Sequence, residues 1–316
     1  MSDEVLTEDE TVGPSDDFLA RLAQEERFAR QTDATLALLF AAPPSRYFSD
    51  AIIARTRGLV RSLARQLSEA ERETDNSSNS TAPSVGRISR YLENNEALLR
   101  HCHALSLEYT LLLRLQKTRG ADPILPPVIR DCLSDDKEST ASLAMRFVAS
   151  QGQFLQSLER MHLPLSQLPA DILHEVLRDW RNSGSPQNGA AMTASEAQIR
   201  NAYDERNSRT ALLERLATIV TDTGDEIFPL EKSGLSLFVS LLSDALKQER
   251  EEIVRLLDLS QASRLSLALH AVGKKRTAAL ADLAYLSDEH AEAAWSGEID
   301  QVEARTLYFA EARHGS

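Results

Sequence analysis

Gly234-Leu-Ser-Leu-Phe-Val-Ser-Leu-Leu-Ser-Asp-Ala-Leu246 opens the stretch whose reading decides the fold. It continues through Glu251-Glu-Ile-Val-Arg-Leu-Leu-Asp-Leu259, Ser263-Arg-Leu-Ser-Leu-Ala-Leu-His-Ala-Val-Gly273 and Ala278-Ala-Leu-Ala-Asp-Leu-Ala-Tyr-Leu286. Leu235, Phe238, Leu242 and Leu246 recur at helical spacing, as do Ile253, Leu256 and Leu257, then Leu265, Leu269 and Val272, then Leu280, Leu283 and Leu286. Four short apolar-faced helices in succession are the expectation, with Ser260 as the N-cap of the third and Gly273 as the left-handed residue that ends it. Lys274, Lys275 and Arg276 then stand just past the negative end of that helix dipole. A short helix cannot bury its apolar stripe alone, so successive ones must pack on each other. The expected fold class is all-α: stacked short antiparallel helices, as a HEAT-like α-solenoid or a multi-helix bundle.

Outward from this stretch, the same pattern runs through most of the 316 residues. Residues 1–17 are acidic and poor in core formers, and are expected to form a disordered tail. Residues 18–182 read as an N-terminal helical region, 183–193 as a linker (Ser-Gly-Ser-Pro-Gln-Asn-Gly-Ala-Ala-Met-Thr), and 194–316 as a C-terminal helical region. Leu36 to Phe40 suggest the second arm of an early hairpin ended by Pro43-Pro44, and Glu73–Ser84 an exposed loop. Leu98-Leu99 and Leu107–Leu115 read as two further helices, the second stopped by Gly120. No alternating run of strand length interrupts the series.

Hydrophobic residues at 42% and charged residues at 26% place the chain among globular proteins, while 5% aromatics leave a core of Leu and Ala. A net charge of −13 argues against broad binding to phosphate backbones or anionic lipid, both of which need a positive surface. No stretch approaches the ~20 apolar residues of a membrane span, and the first residues are acidic where a signal peptide is basic. Two cysteines, Cys102 and Cys132, make no disulfide framework. A reducing, cytoplasmic location is the expectation.

Three phrases carry a family resemblance: Ala97-Leu-Leu-Arg-His-Cys-His-Ala-Leu-Ser-Leu-Glu-Tyr-Thr-Leu-Leu-Leu-Arg-Leu-Gln-Lys-Thr-Arg-Gly120, the Leu163-Pro-Leu-Ser-Gln-Leu-Pro-Ala-Asp171 segment with His174, and Leu256–Gly273. They resemble the mainly alphaproteobacterial, bacterial family called domain of unknown function 2336. The resemblance implies stacked helices akin to HEAT repeats over roughly residues 50 to 290 and implies no catalytic residues.

Candidate chemistry is sparse. His101-Cys102-His103 holds good zinc-ligand types at poor spacing, because residues two apart on a helix point to opposite sides. Asp171 and His174 stand three apart, the spacing at which a carboxylate can orient an imidazole. Lys274, Lys275 and Arg276 have the charges of a phosphate contact but no preceding strand. No phosphate-binding loop, dinucleotide fingerprint, zincin motif or nucleophile elbow occurs. The expectation is therefore a non-enzymatic cytoplasmic scaffold that binds a protein partner, with no cofactor, metal or membrane. One alternative is an enzyme or small-molecule sensor using Asp171, His174, Lys274, Lys275 and Arg276 between two helical halves. A second is a nucleic-acid-associated regulator built on the helix pair of residues 260–286, against which the acidic balance weighs.

Overall fold

A computed structural model describes residues 18–25, 49–74, 85–184, 189–221, 229–258, 261–286 and 299–313, the side chains of 189–191 and 311–313 excepted. The described residues are all α. The helices are α1 (18–25), α2 (Asp50–Thr74), α3 (Val85–Leu92), α4 (Glu96–Arg119), α5 (Pro127–Leu133), α6 (Glu138–Glu159), α7 (Ala170–Ser183), α8 (Gly189–Ala202), α9 (Arg209–Thr221), α10 (Leu230–Leu246), α11 (Arg250–Leu256), α12 (Ala262–Ala271), α13 (Arg276–Leu286) and α14 (Gln301–Arg313). None is long and apolar enough to cross a membrane. The expected tail over 1–17, the run at Leu36–Phe40, residues 75–84 of the expected loop and the Ser260 cap lie outside the described residues.

The chain divides into two compact units, Gln31–Arg255 and the pair of segments Met1–Arg30 and Leu256–Ser316. This division does not coincide with the boundary expected at 183–193. Of that stretch, 185–188 lie outside the described residues and 189–193 open α8, and α7 and α8, on either side, pack together in the larger unit. Serine, glycine and proline content marks a break in apolar periodicity; it does not report which helices pack across the break.

In the larger unit α4 is the central element. It packs against α2, α6, α7 and α10, and its buried residues lie on every side of the helix, from Leu98 through Glu108 to Leu115. Contacts such as α2 with α8 and α3 with α7 join helices far apart in the chain, which is bundle packing; in a solenoid each repeat meets only its neighbours. The two helices expected between Leu98 and Leu115 are one, because nothing between them breaks the backbone ladder. Asn95 caps its start by accepting from the Leu98 N–H at 2.9 Å, and Gly120, at φ 65°, ends it. Beside it, Val128, Ile129, Phe147, Leu212, Leu213, Leu216, Leu237 and Leu241 of α5, α6, α9 and α10 make a continuous apolar cluster. Each such side chain taken fully out of water contributes roughly 1.5–3 kcal/mol.

The stretch that opens at Gly234 is broken where glycine permits it. Gly234 has φ 69° and ψ 158°, a conformation open essentially to glycine alone, and interrupts α10 just after its first turn. A side chain there would also come within 2.8 Å of the Pro126 ring.

In the smaller unit, α12 packs on α13 and α14. Gly273, at φ 88°, ends α12 as expected, with the Lys274 N–H donating to the Leu269 carbonyl at 3.0 Å. The start of α12 is capped from α1: the Glu25 carboxylate accepts from the Ser263 N–H at 3.3 Å and the Arg264 N–H at 2.8 Å. Burial raises the Glu25 carboxyl above its ordinary range, and those backbone hydrogen bonds oppose the rise.

Candidate functional site

The distinctive chemistry of the larger unit is a charged network in the bundle interior. Glu108, on α4, is 1% exposed. Arg209, at the start of α9, reaches it with both terminal nitrogens: Nη1 donates to Oε2 at 3.2 Å and Nη2 donates to Oε1. Arg250, at the start of α11, donates from Nη2 to Oε1 at 2.8 Å, and the Ser236 hydroxyl of α10 donates to the same oxygen at 2.8 Å. Other donors of the two guanidiniums are also used. Arg209 Nε meets Gln151 Oε1 at 2.6 Å, and Arg250 Nη1 meets the Ser236 carbonyl at 3.1 Å and the Ser240 hydroxyl at 2.5 Å. The Arg209 guanidinium lies 3.8 Å from the centroid of the Phe154 ring, a cation–π contact.

Burial alone would raise the Glu108 carboxyl, but the guanidiniums of Arg209 and Arg250 and the hydrogen bonds to it hold it at about 2. It is therefore an anion shared by two cations. Two turns earlier on α4, His101 repeats the arrangement with the next residue of α11. Its Nδ1 stands 2.6 Å from Glu251 Oε1, and that contact, against the effect of burial, brings Glu251 to about 2. Arg250 and Glu251, adjacent in sequence, thus clamp the start of α11 onto one side of α4.

Above this network lies a cleft of about 680 Å³. Its lining includes four guanidiniums, Arg100, Arg206, Arg215 and Arg250, and five carboxylates, Asp171, Glu205, Glu214, Glu249 and Glu251. Arg250 and Glu251 are held from behind by α4, whereas Arg206, Arg215 and Glu249 are exposed. The Glu205 carboxylate accepts from the Ala170 N–H at 3.0 Å, which caps α7 and sets one wall. Burial and the neighbouring carboxylates of Glu205, Asp244 and Glu251 raise Glu214, against the pull of Arg250. The cleft is mixed in charge, with cationic and anionic groups interleaved.

Of the residues singled out in the sequence, Asp171 lines this cleft. His174 does not; it is exposed, and its Nδ1 faces Arg200 Nη2 at 3.3 Å. Asp171 instead accepts from the Ile172 N–H at 2.8 Å. Lys274, Lys275 and Arg276 belong to the smaller unit, where Lys274 is buried in an ion pair with Asp282 and Lys275 and Arg276 are exposed. His101, Cys102 and His103 are all buried on α4, and burial pushes the Cys102 thiol up. Among the described residues no group of His, Cys, Asp and Glu side chains is placed to hold a metal ion.

Sequence reasoning missed Glu108, Arg209, Ser236, Arg250 and Glu251. Two signals were present. Glu108 is the lone acidic residue in the apolar run from Leu105 to Leu113, and a charge in a helix that is apolar all round requires a buried partner. Ser233, Ser236, Ser240 and Ser243 recur at spacings of three and four, which places a hydroxyl stripe on one side of an otherwise apolar α10. Their partners, one hundred or more residues away in the chain for Arg209 and Arg250, had no such signature. No family model matches the chain, and neither does any curated protein or solved structure.

Proposed function

We propose that the chain is a non-enzymatic, cytoplasmic protein-interaction module, and that the cleft of the larger unit receives a partner segment carrying both acidic and basic side chains. The observation that carries this reading is the cleft itself: about 680 Å³ in volume, with interleaved guanidiniums and carboxylates set on a floor fixed by the Glu108 network. A floor whose rotamers are already locked costs little ordering on binding, while exposed Arg206, Arg215 and Glu249 select for charge complementarity. Two free, buried thiols accord with a reducing compartment. The resemblance to the domain of unknown function 2336 family belongs to this proposal, as does a bacterial origin; the HEAT-like stacking that the resemblance implies does not, because α2 meets α8 and α3 meets α7.

The test is affinity capture from native cells with the wild-type chain and with an Arg206→Glu, Arg215→Glu variant. Both positions are exposed, so the variant keeps the fold. The expected result is a specific protein partner retained by wild type, lost by the variant, and crosslinked to a photoreactive residue placed at 215. Capture unaffected by charge reversal, or a co-purifying metabolite in the cleft with no protein, overturns the reading.

A further inference from the structure

Two recesses of the larger unit lie side by side. One is the mixed-charge cleft; the other is a cavity of about 30 Å³, or about 450 Å³ when its open mouth is counted. Thr210 lines both, and three segments run from one into the other. On α4, Arg100 lines the cleft and Leu105 the cavity; ahead of α7, Pro169 lines the cleft and Pro164 the cavity; at the start of α9, Ala211 lines the cleft and Arg209 the cavity.

The two recesses differ in chemistry. Leu105, Phe154, Leu158 and Leu163 are buried walls of the cavity, and Arg209, the one guanidinium on its lining, is committed to Glu108 and Gln151. Exposed Gln153 and His162 stand on the same lining, so the cavity reaches the surface. Its wall ahead of α7 is fixed to α2: Gln66 donates to the Leu163 carbonyl at 2.7 Å and accepts from the Leu165 N–H at 3.1 Å, and His162 Nδ1 meets the Ser62 hydroxyl at 2.8 Å. An apolar recess with fixed walls and an open mouth favours burial of an apolar group at little cost in ordering. An interior of about 30 Å³ takes one or two methyl-sized groups, the end of a Leu or Met side chain, whereas a cavity that takes a benzene ring measures roughly 150 Å³.

We propose that this cavity is the apolar anchor pocket of the interaction surface: the partner segment that the cleft receives places the end of one Leu or Met side chain in it, beside its charged residues. The inference rests on the reading of the cleft given above and adds the partner's apolar residue and its place. Leu105 lies about 7.5 Å beyond Arg100 along α4, so the anchor stands about two positions from the nearest charged residue in an extended segment and about five in a helical one.

The experiment selects short random peptides on the full chain and on two variants, the Arg206→Glu, Arg215→Glu chain and Ser157→Leu. Ser157 lines the cavity and not the cleft, so a leucine there fills the one and spares the other. The expected wild-type consensus combines acidic and basic residues with one Leu or Met at the stated spacing. The charge-reversed chain should change the charges and keep the apolar residue, and Ser157→Leu should do the reverse. In a peptide made to the consensus, replacing the anchor by Ala should weaken binding about tenfold or more on wild type, the effect of losing one buried aliphatic end, and less than about twofold on Ser157→Leu, where the pocket is already filled. A photoreactive leucine analogue at the anchor position should crosslink to residues 150–167 of the wild-type chain, a readout that stands even if Ser157→Leu does not fold. Peptides with both charges but no preferred apolar residue, an equal cost of the Ala replacement on the two chains, or crosslinks confined to the cleft overturn this inference and leave the cleft reading intact. Peptides indifferent to the Arg206→Glu, Arg215→Glu change overturn the cleft reading and this inference with it.

Discussion

Arg209 grips Glu108 with both arms of its guanidinium across 101 residues of sequence, Nη1 on Oε2 at 3.2 Å and Nη2 on Oε1. Neither residue has appreciable contact with water. Taking two ions out of water costs several kcal/mol each, and the geometry offsets that cost only because Ser236, Gln151 and Arg250 satisfy the remaining atoms. Such a network contributes modest net stability when intact, and a large loss when half of it is removed.

Glu108→Ala should therefore lower unfolding free energy by roughly 3–5 kcal/mol, since it strands two guanidiniums in the interior. Arg209→Lys should also destabilise, because an ammonium cannot make the paired contact. Urea unfolding followed by far-ultraviolet circular dichroism reads both. If Glu108→Ala unfolds within about 1 kcal/mol of wild type, a typical change for an ordinary site, the buried ion network is not what holds α9 and α11 to α4.

Acid should unfold the protein through the same residues. Glu108 and Glu251 both sit at about 2, below the ordinary carboxyl value of 4.5. A depressed folded pKa contributes stability that is fully present above the unfolded value and is lost as pH falls through the folded one. The urea midpoint should thus fall as pH goes from about 4.5 towards 2, and less steeply in Glu251→Gln. Glu25 and Glu214, raised by burial, act in the opposite direction and at higher pH: their penalty is relieved as pH falls through their raised values to 4.5, before that fall sets in.

Two glycines should respond with opposite signs. Gly234→Ala places a side chain in a backbone conformation reserved for glycine and against Pro126, and should cost about 2 kcal/mol or more. Gly86→Ala, on α3 with nothing among the described residues within 4 Å of the new methyl group, should stabilise by about 0.5 kcal/mol. Thermal melts of the two variants, compared with wild type, check the contrast.

The basic residues after α12 should separate by burial. Lys274→Ala takes from buried Asp282 its ammonium partner and should cost roughly 1.5–3 kcal/mol, the size of a lost hydrogen bond to a charged group. Lys275→Ala, at an exposed position, should stay within about 0.5 kcal/mol of wild type. Equal, small effects at both positions would remove the structural role assigned to Lys274.

Local chemistry along the chain determined the helices and several of their ends. Apolar residues at spacings of three and four made the class all α, and Gly120 and Gly273 marked ends because glycine takes the left-handed conformation that closes the last turn there. These are interactions within a few residues, so the order of the amino acids contains them. The merging of α4 into one helix was not legible, since apolar faces on all its sides blur the periodicity that separates helices. Only the tertiary structure decided that Glu108 meets Arg209 and Arg250, that His101 meets Glu251, and that the compact units divide at Arg255 rather than at 183–193. The physical reason is that a buried charge announces its need for a counterion, whereas the identity of that counterion depends on which helices the apolar core brings side by side, and many arginines in this chain satisfy the same local rules.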